Sequence, residues 1–126
     1  MSYDLMVFEH SVAPKERQKF LAWYGQQTKW SEGHSYNDPS VSTPSLQAYF
    51  QDIIDIFPAM NGPFRSDDFD NPKVTDHCVA RNVIYSAFAW SCTEEAYGVV
   101  RQLAAKHRIG FFDVSAENGD IILPAE

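Results

Sequence analysis

The stretch His77-Cys-Val-Ala-Arg-Asn-Val-Ile-Tyr-Ser-Ala-Phe-Ala-Trp90 carries the clearest signal of the fold. Segment 83–90 is rich in β-branched and aromatic residues, segment 77–80 contains the apolar run Cys78-Val-Ala80, and Arg81-Asn82 lies between them. Two such runs joined by two residues predict a β-hairpin, and asparagine tolerates the positive φ that a tight turn needs. We therefore expect a sheet that contains at least this antiparallel pair.

The pattern after the hairpin predicts a helix followed by two short strands. Ser91-Cys-Thr-Glu94 matches the S-x-x-E capping box, and apolar residues recur at helical spacing over 96–107. Gly110 suits the C′ position of that helix. Segments 111–115 and 121–123 then have strand character, with the strong turn signal Asn118-Gly119 between them.

Two helices and one strand are predicted upstream. Tyr3–Phe8 contains a continuous apolar run, which is typical of a strand buried on both faces. A first helix is expected at about 14–28, with Pro14 at its start. A second begins with Thr43 as N-cap and Pro44 at N1, carries an apolar stripe over 46–57, and ends at Pro58.

The element order is therefore β-α-α-β-β-α-β-β in one globular domain over 1–126. This order predicts an α+β class, or an α/β class with a mixed sheet. A ferredoxin-like variant with an added helix fits the order, and so does an open mixed sheet.

A long segment without helix or strand pattern covers 58–76. Its three prolines, one glycine and four aspartates exclude a regular element, and loops of this length are often functional. Met60, Phe64 and Phe69 supply apolar side chains that would hold the loop against the body. If the second helix runs antiparallel to the first, and the third and fourth strands run parallel to the first strand, Glu9 and the acids of this loop should meet at the carboxyl end of the first strand, together with Glu94, Glu117 and Asp120. A loop that crosses the sheet would instead invert this arrangement.

Composition excludes several classes of function. The chain has 10 Lys and Arg against 17 Asp and Glu, a formal net charge of −7, which disfavours nucleic acids and anionic membranes and attracts basic partners. The amino terminus lacks the features of a signal peptide. The two cysteines of the chain, Cys78 and Cys92, suit free thiols in a reducing compartment. We expect a cytoplasmic protein.

No local motif names a reaction. Asp68 and Asp70 alternate as calcium ligands do, but no closing Glu follows them. The four histidines lack zinc-site spacing. Cys92, at a predicted helix N-terminus, is the best hint of a nucleophile, and capping explains its surroundings. The sequence favours a non-enzymatic role with no cofactor, no metal site and no catalytic residue.

Four segments together resemble a set of small bacterial cytosolic proteins of about this whole length. They are Ser2-Tyr-Asp-Leu-Met-Val-Phe8, Phe20-Leu-Ala-Trp-Tyr24, Phe57-Pro-Ala-Met-Asn-Gly-Pro63 and Gly110-Phe-Phe-Asp-Val-Ser115. The resemblance implies no activity. By size and acidity alone, the chain is also similar to immunity proteins, which neutralise toxins by covering them.

The leading hypothesis is a protein that binds a basic protein partner through an acidic, aromatic-containing loop edge, with immunity to a toxin as its concrete form. The residues predicted to contact the partner are Asp67, Asp68, Asp70, Phe64, Phe69, His34 and Tyr36. The alternative is a small-molecule-binding protein or enzyme with a pocket between the long loops and the sheet. A homodimer through the edge strand at 121–123 is a third possibility.

Overall fold

The computed structural model describes residues 2–68 and 70–124. Within these residues the chain forms five strands and three α-helices in the predicted order. The strands are β1 (Tyr3–Phe8), β2 (Asp76–Val79), β3 (Val83–Phe88), β4 (Gly110–Phe112) and β5 (Ile121–Ile122). The helices are α1 (Arg17–Gln27), α2 (Pro44–Ile53) and α3 (Thr93–His107).

The strands form one sheet in the order β2-β3-β1-β4-β5, with each neighbouring pair antiparallel. β1 is central: Met6 pairs with Tyr85 of β3 on one side and with Phe112 of β4 on the other. β3 lies between β1 and β2, and β1 lies between β3 and β4. The unit β1-α2-β2-β3-α3-β4 thus has the split βαβ arrangement of a ferredoxin-like fold. The α+β prediction is confirmed, with α1 as the added helix and β5 as an extra edge strand.

Both faces of the sheet are covered. Tyr3, Leu5 and Val7 point to the core that α2 and α3 close, whereas Met6 and Phe8 point to the smaller core under α1. Successive side chains of a strand alternate between faces, so a strand buried on both sides must be apolar throughout. This confirms the prediction made from the apolar run of β1.

Helix starts differ from two predictions. α1 begins at Arg17, three residues after Pro14, and Glu16 is its N-cap. α3 begins at Thr93 after a 3-10 turn at Trp90–Cys92, and its N-cap Cys92 makes no side-chain capping bond. The predicted capping box is therefore wrong, because the turn moves Ser91 out of the N-cap position. By contrast, α2 begins at Pro44 with Thr43 as N-cap, as predicted.

Helix and strand ends also depart from the predictions. α2 ends at Ile53, four residues before Phe57, although Phe57 still enters the core. The left-handed residue after α3 is Arg108, with φ 55°, and Gly110 belongs to β4. The prediction of Gly110 as a helix C′ residue is therefore wrong.

The antiparallel strands place the acidic residues at a different end of the sheet from the one that was predicted. Tyr3 at the start of β1 pairs with Phe88 at the end of β3, so Trp90 lies beside the amino end of β1. The backbone N–H of Glu9 donates to the carbonyl of Asn82 at the opposite end of the sheet, at 2.9 Å. The prediction of a common edge with Glu9 is wrong, because β3 and β4 are antiparallel to β1.

Candidate functional site: an acidic end of the sheet

Three connections meet at the amino end of β1, and we call them together the acidic end. They are segment 66–73 before β2, segment 90–95 between β3 and α3, and segment 113–120 between β4 and β5. Most of the acids that were expected to share an edge lie here: Asp67, Asp68, Asp70, Glu94, Glu117 and Asp120. The acidic edge exists, but at the amino end of β1 and without Glu9.

Backbone hydrogen bonds join the two ends of the 58–76 loop to each other, directly before the start of β2. Ala59 forms isolated parallel bridges with both Arg65 and Thr75. The N–H of Met60 donates to the Thr75 carbonyl at 3.0 Å, and the N–H of Thr75 donates to the Pro58 carbonyl at 2.8 Å. Backbone pairing, and not only apolar anchoring, positions this loop.

The apolar side chains of the loop lie partly outside the core. Phe64 packs edge-on against Phe50 of α2, with ring centroids 5.8 Å apart, yet 43% of Phe64 is exposed. Met60 is also exposed. These two side chains are available to a partner. Phe69, the other predicted aromatic contact, lies outside the described residues.

The end of the loop is fastened to the start of α3. Lys73 Nζ lies 2.7 Å from Glu95 Oε2, and it also lies 5.7 Å from the centroid of the Phe57 ring. The Cys92 thiol donates to the carbonyl of Pro72 at 3.8 Å. Asp70 is two residues from Pro72, so it lies within about 8 Å of this contact along the chain. The N–H of Asn71 donates to the carbonyl of Asp68 at 3.2 Å, which places Asp68 in the turn that precedes Pro72.

Trp90 is the exposed aromatic residue of the acidic end, and sequence reasoning missed it. One side of its indole packs on Tyr3, with centroids 5.6 Å apart, and half of the residue is exposed. An open cleft of about 510 Å³ lies beside it, lined by Trp90, Ser91, Thr93, Glu94 and Glu95. The sequence placed Trp90 in a strand, which would have buried it with Phe88. The sequence signal that could have indicated its exposure is that Trp90 comes just before the predicted start of a helix, where the alternation of a strand no longer applies.

The structure separates His34 and Tyr36 from the predicted acids. The Tyr36 carbonyl accepts from the N–H of Val79, at the end of β2 away from the acidic end. The His34 ring packs on the Tyr36 ring, and its Nε2 donates to Glu32 Oε1 at 2.7 Å. Glu32 Oε1 also accepts from the N–H of Arg81. The Tyr36 backbone and the Glu32 side chain, which His34 also contacts, thus connect the 28–42 loop to the end of β2 and to the β2–β3 turn. The predicted contact of His34 and Tyr36 with a partner stays a prediction.

His77 and the two cysteines are further side chains that could carry chemistry. His77 is buried, its Nε2 donates to the Phe57 carbonyl at 2.9 Å, and its Nδ1 accepts from the Ser86 hydroxyl at 2.6 Å. Burial lowers the pKa of His77 to about 4, so the ring is neutral at pH 7. Both cysteines are free, and burial raises the pKa of Cys78 to about 11.

Metal-type groupings of side chains and cavities in the described part of the chain bear on the predicted alternatives. Across residues 2–68 and 70–124, no three His, Cys, Asp or Glu side chains are grouped as a metal site requires. The better-formed cavities lie along α3 and beside β5, and not between the long loops and the sheet. Within the same residues, no helix has both the length and the apolar character needed to cross a bilayer.

Comparison with protein-family models, curated proteins and solved structures finds no match for this chain. The resemblance of the four sequence segments to small bacterial proteins therefore remains an expectation.

Proposed function

We propose that this protein binds a basic protein partner through the acidic end. The proposal keeps the acids of the 58–76 loop as the electrostatic part of the surface. It adds Trp90 as an aromatic contact and places Phe64 and Met60 on the adjoining side of the loop. Aromatic side chains in the middle of a charged surface are a common composition for protein interfaces.

The observation that carries the proposal is the imbalance of charge around Trp90. Segments 58–76 and 90–95 contain six carboxylates and two cations. One of those cations, Lys73, is already paired with Glu95. Among the described residues, Asp67, Asp68, Asp70 and Glu94 make no ion pair with a Lys, Arg or His side chain. Their field is therefore left to act on a partner.

Such a surface would accelerate association and select partners more than it would add affinity. Opposite potentials steer two proteins together, and unpaired like charges reject the wrong partner. Immunity to a basic toxin is the concrete form of this proposal, because covering a basic active surface would need a dense acidic face. A protective effect against a candidate toxin chain, lost when the acidic end is neutralised, would support that form.

The test is capture followed by kinetics. The wild type, Asp67→Asn/Asp68→Asn and the charge-matched control Glu9→Gln/Glu16→Gln are used to capture a partner from native cytosol at low salt. The control acids lie on the β1–α1 connection, which leaves from the opposite end of β1. Association rates of the captured partner are then measured over a range of salt concentrations.

We expect the loop variant to associate about tenfold more slowly at low salt, the control to stay near wild type, and the difference to shrink as salt rises. An association rate that depends neither on salt nor on Asp67 and Asp68 would contradict the proposal.

A further inference from the structure

The cleft beside Trp90 has a flat aromatic wall and a free carboxylate. Tyr3 packs at an angle of 49° against the indole of Trp90, which is half exposed and lines the cleft. Glu94 and Glu95 line the same cleft in the first turn of α3. Glu95 is occupied by Lys73 at 2.7 Å, whereas Glu94 makes no ion pair among the described residues.

A second carboxylate lies behind the aromatic pair. Asp113 Oδ1 is buried and makes no hydrogen bond within the described residues. Burial, and then the nearby charge of Asp113, raise the pKa of Tyr3 to about 12. Burial also raises the pKa of Asp113 itself, and among the described residues no Lys, Arg or His side chain forms an ion pair with it.

The chain already forms contacts of this kind with its own cations. The guanidinium of Arg101 lies 5.6 Å from the ring centroid of Tyr97 on α3. Lys73 combines an aromatic face with a carboxylate, since it contacts both Phe57 and Glu95. The cleft offers the same two elements, the Trp90 face and Glu94, with no cation of the described chain between them.

We propose that the cleft binds an arginine side chain of the basic partner, with its guanidinium stacked on Trp90 and paired with Glu94. A planar guanidinium stacks on an indole face while it donates to a carboxylate, and it is more weakly hydrated than a lysine ammonium. Arginine is therefore preferred over lysine at a flat, half-exposed tryptophan. This inference rests on the proposed function, because the acidic end brings the basic partner to the cleft.

Hexa-arginine and hexa-lysine peptides test the preference, because they carry the same charge. Binding is followed by tryptophan emission, and a Trp90→Phe variant, which keeps Trp23 and Trp30, separates the Trp90 signal. We expect hexa-arginine to perturb Trp90 at a concentration about three to ten times lower than hexa-lysine. Glu94→Gln should remove most of this preference, whereas Glu117→Gln, an exposed acid outside the cleft, should retain it.

The result also separates the cleft from the wider surface. Equal binding of both peptides, or binding that ignores Glu94→Gln and Trp90→Phe, would overturn the arginine cleft and leave the acidic docking surface in place. Arginine-selective binding that survives Asp67→Asn/Asp68→Asn would support the cleft even if the loop acids do not steer the partner.

Discussion

The ring of Phe8 occupies the space that a side chain on Gly110 would need. A Cβ built on Gly110 would lie 2.2 Å from Cζ of Phe8, and Phe8 is fully buried between β1 and α1. The two residues pair directly across β1 and β4. Because the Phe8 ring also packs against Phe20 and Trp23, with ring centroids 4.9 and 5.9 Å away, Gly110→Ala should lower the free energy of unfolding by about 1–3 kcal/mol, measured by denaturant titration.

Gly98→Ala is the matched control for that substitution. Gly98 lies in α3, and a Cβ there would meet nothing within 4 Å. Alanine is a better helix former than glycine, so the free energy of unfolding of this variant should be about 0.5–1 kcal/mol higher than that of the wild type. Equal effects of the two substitutions would show that Phe8 can move aside.

The contact between the two long loops depends on Gly62. Its φ is 86°, and a Cβ there would lie 2.5 Å from the backbone oxygen of Asn37. Gly33 has a similar φ of 84°, but its Cβ would meet nothing within 4 Å. Gly33→Ala should therefore lower the free energy of unfolding by about 1 kcal/mol through backbone strain alone. Gly62→Ala should lower the free energy of unfolding by clearly more, because it adds the clash with Asn37. Hydrogen exchange should show lost protection at Met60 and Thr75 in Gly62→Ala only, and protection equal to that of Gly33→Ala would contradict the contact.

The buried His77 should make stability fall in acid. Burial lowers its pKa from 6.5 to about 4, against the smaller opposing effects of the Phe57 carbonyl and Asp76. Between these values the unfolded chain binds a proton that the folded chain does not, so stability is complete above pH 6.5 and is lost as pH falls toward 4. The expected loss is about 3 kcal/mol by pH 4.

A His77→Gln variant isolates this effect from the other titrating groups. Glutamine keeps an N–H donor for the Phe57 carbonyl and does not titrate. Chemical denaturation at several pH values should show a difference between wild type and variant that narrows steadily from pH 7 to pH 4. A difference that does not change with pH would mean that His77 ionises normally in the folded protein.

The Cys78 thiol should react slowly. Burial, and then the charges of Asp76 and Asp4, raise its pKa to about 11, so about one thiol in a thousand is ionised at pH 8. With Cys92 replaced by Ser, the rate of Ellman's reaction should be about a hundredfold below that of an exposed cysteine. It should rise about tenfold per pH unit below pH 10, and a rate that is already maximal at pH 8 would refute the raised pKa.

Local patterns were sufficient for most of the elements. The apolar run of β1 indicated a strand buried on both faces, and Thr43-Pro44 marked the start of α2. The turn at Asn118-Gly119 also forms, with Asn118 at φ 52°. Each signal depends on residues within one or two turns of chain, where side-chain periodicity and backbone preference decide the outcome.

The predicted site was recovered only in part. Asp67, Asp68 and Asp70 lie in the acidic end, and Phe64 lies on the same loop, but His34 and Tyr36 lie at the other end of β2. Trp90 was missed because the predicted strand was extended to residue 90, whereas β3 ends at Phe88 and a 3-10 turn begins at Trp90. The left-handed position after α3 is occupied by Arg108, and Gly110 lies in β4 opposite Phe8.

By itself, the sequence determined the α+β class, the element order, the excess of acid and the long loop that carries part of it. The tertiary structure alone decided which end of the sheet holds that charge. The pairing of Tyr3 with Phe88 makes β3 antiparallel to β1, and so brings Trp90 and Glu94 to the amino end of β1. Strand direction depends on contacts between residues far apart in the chain, and no local periodicity encodes those contacts.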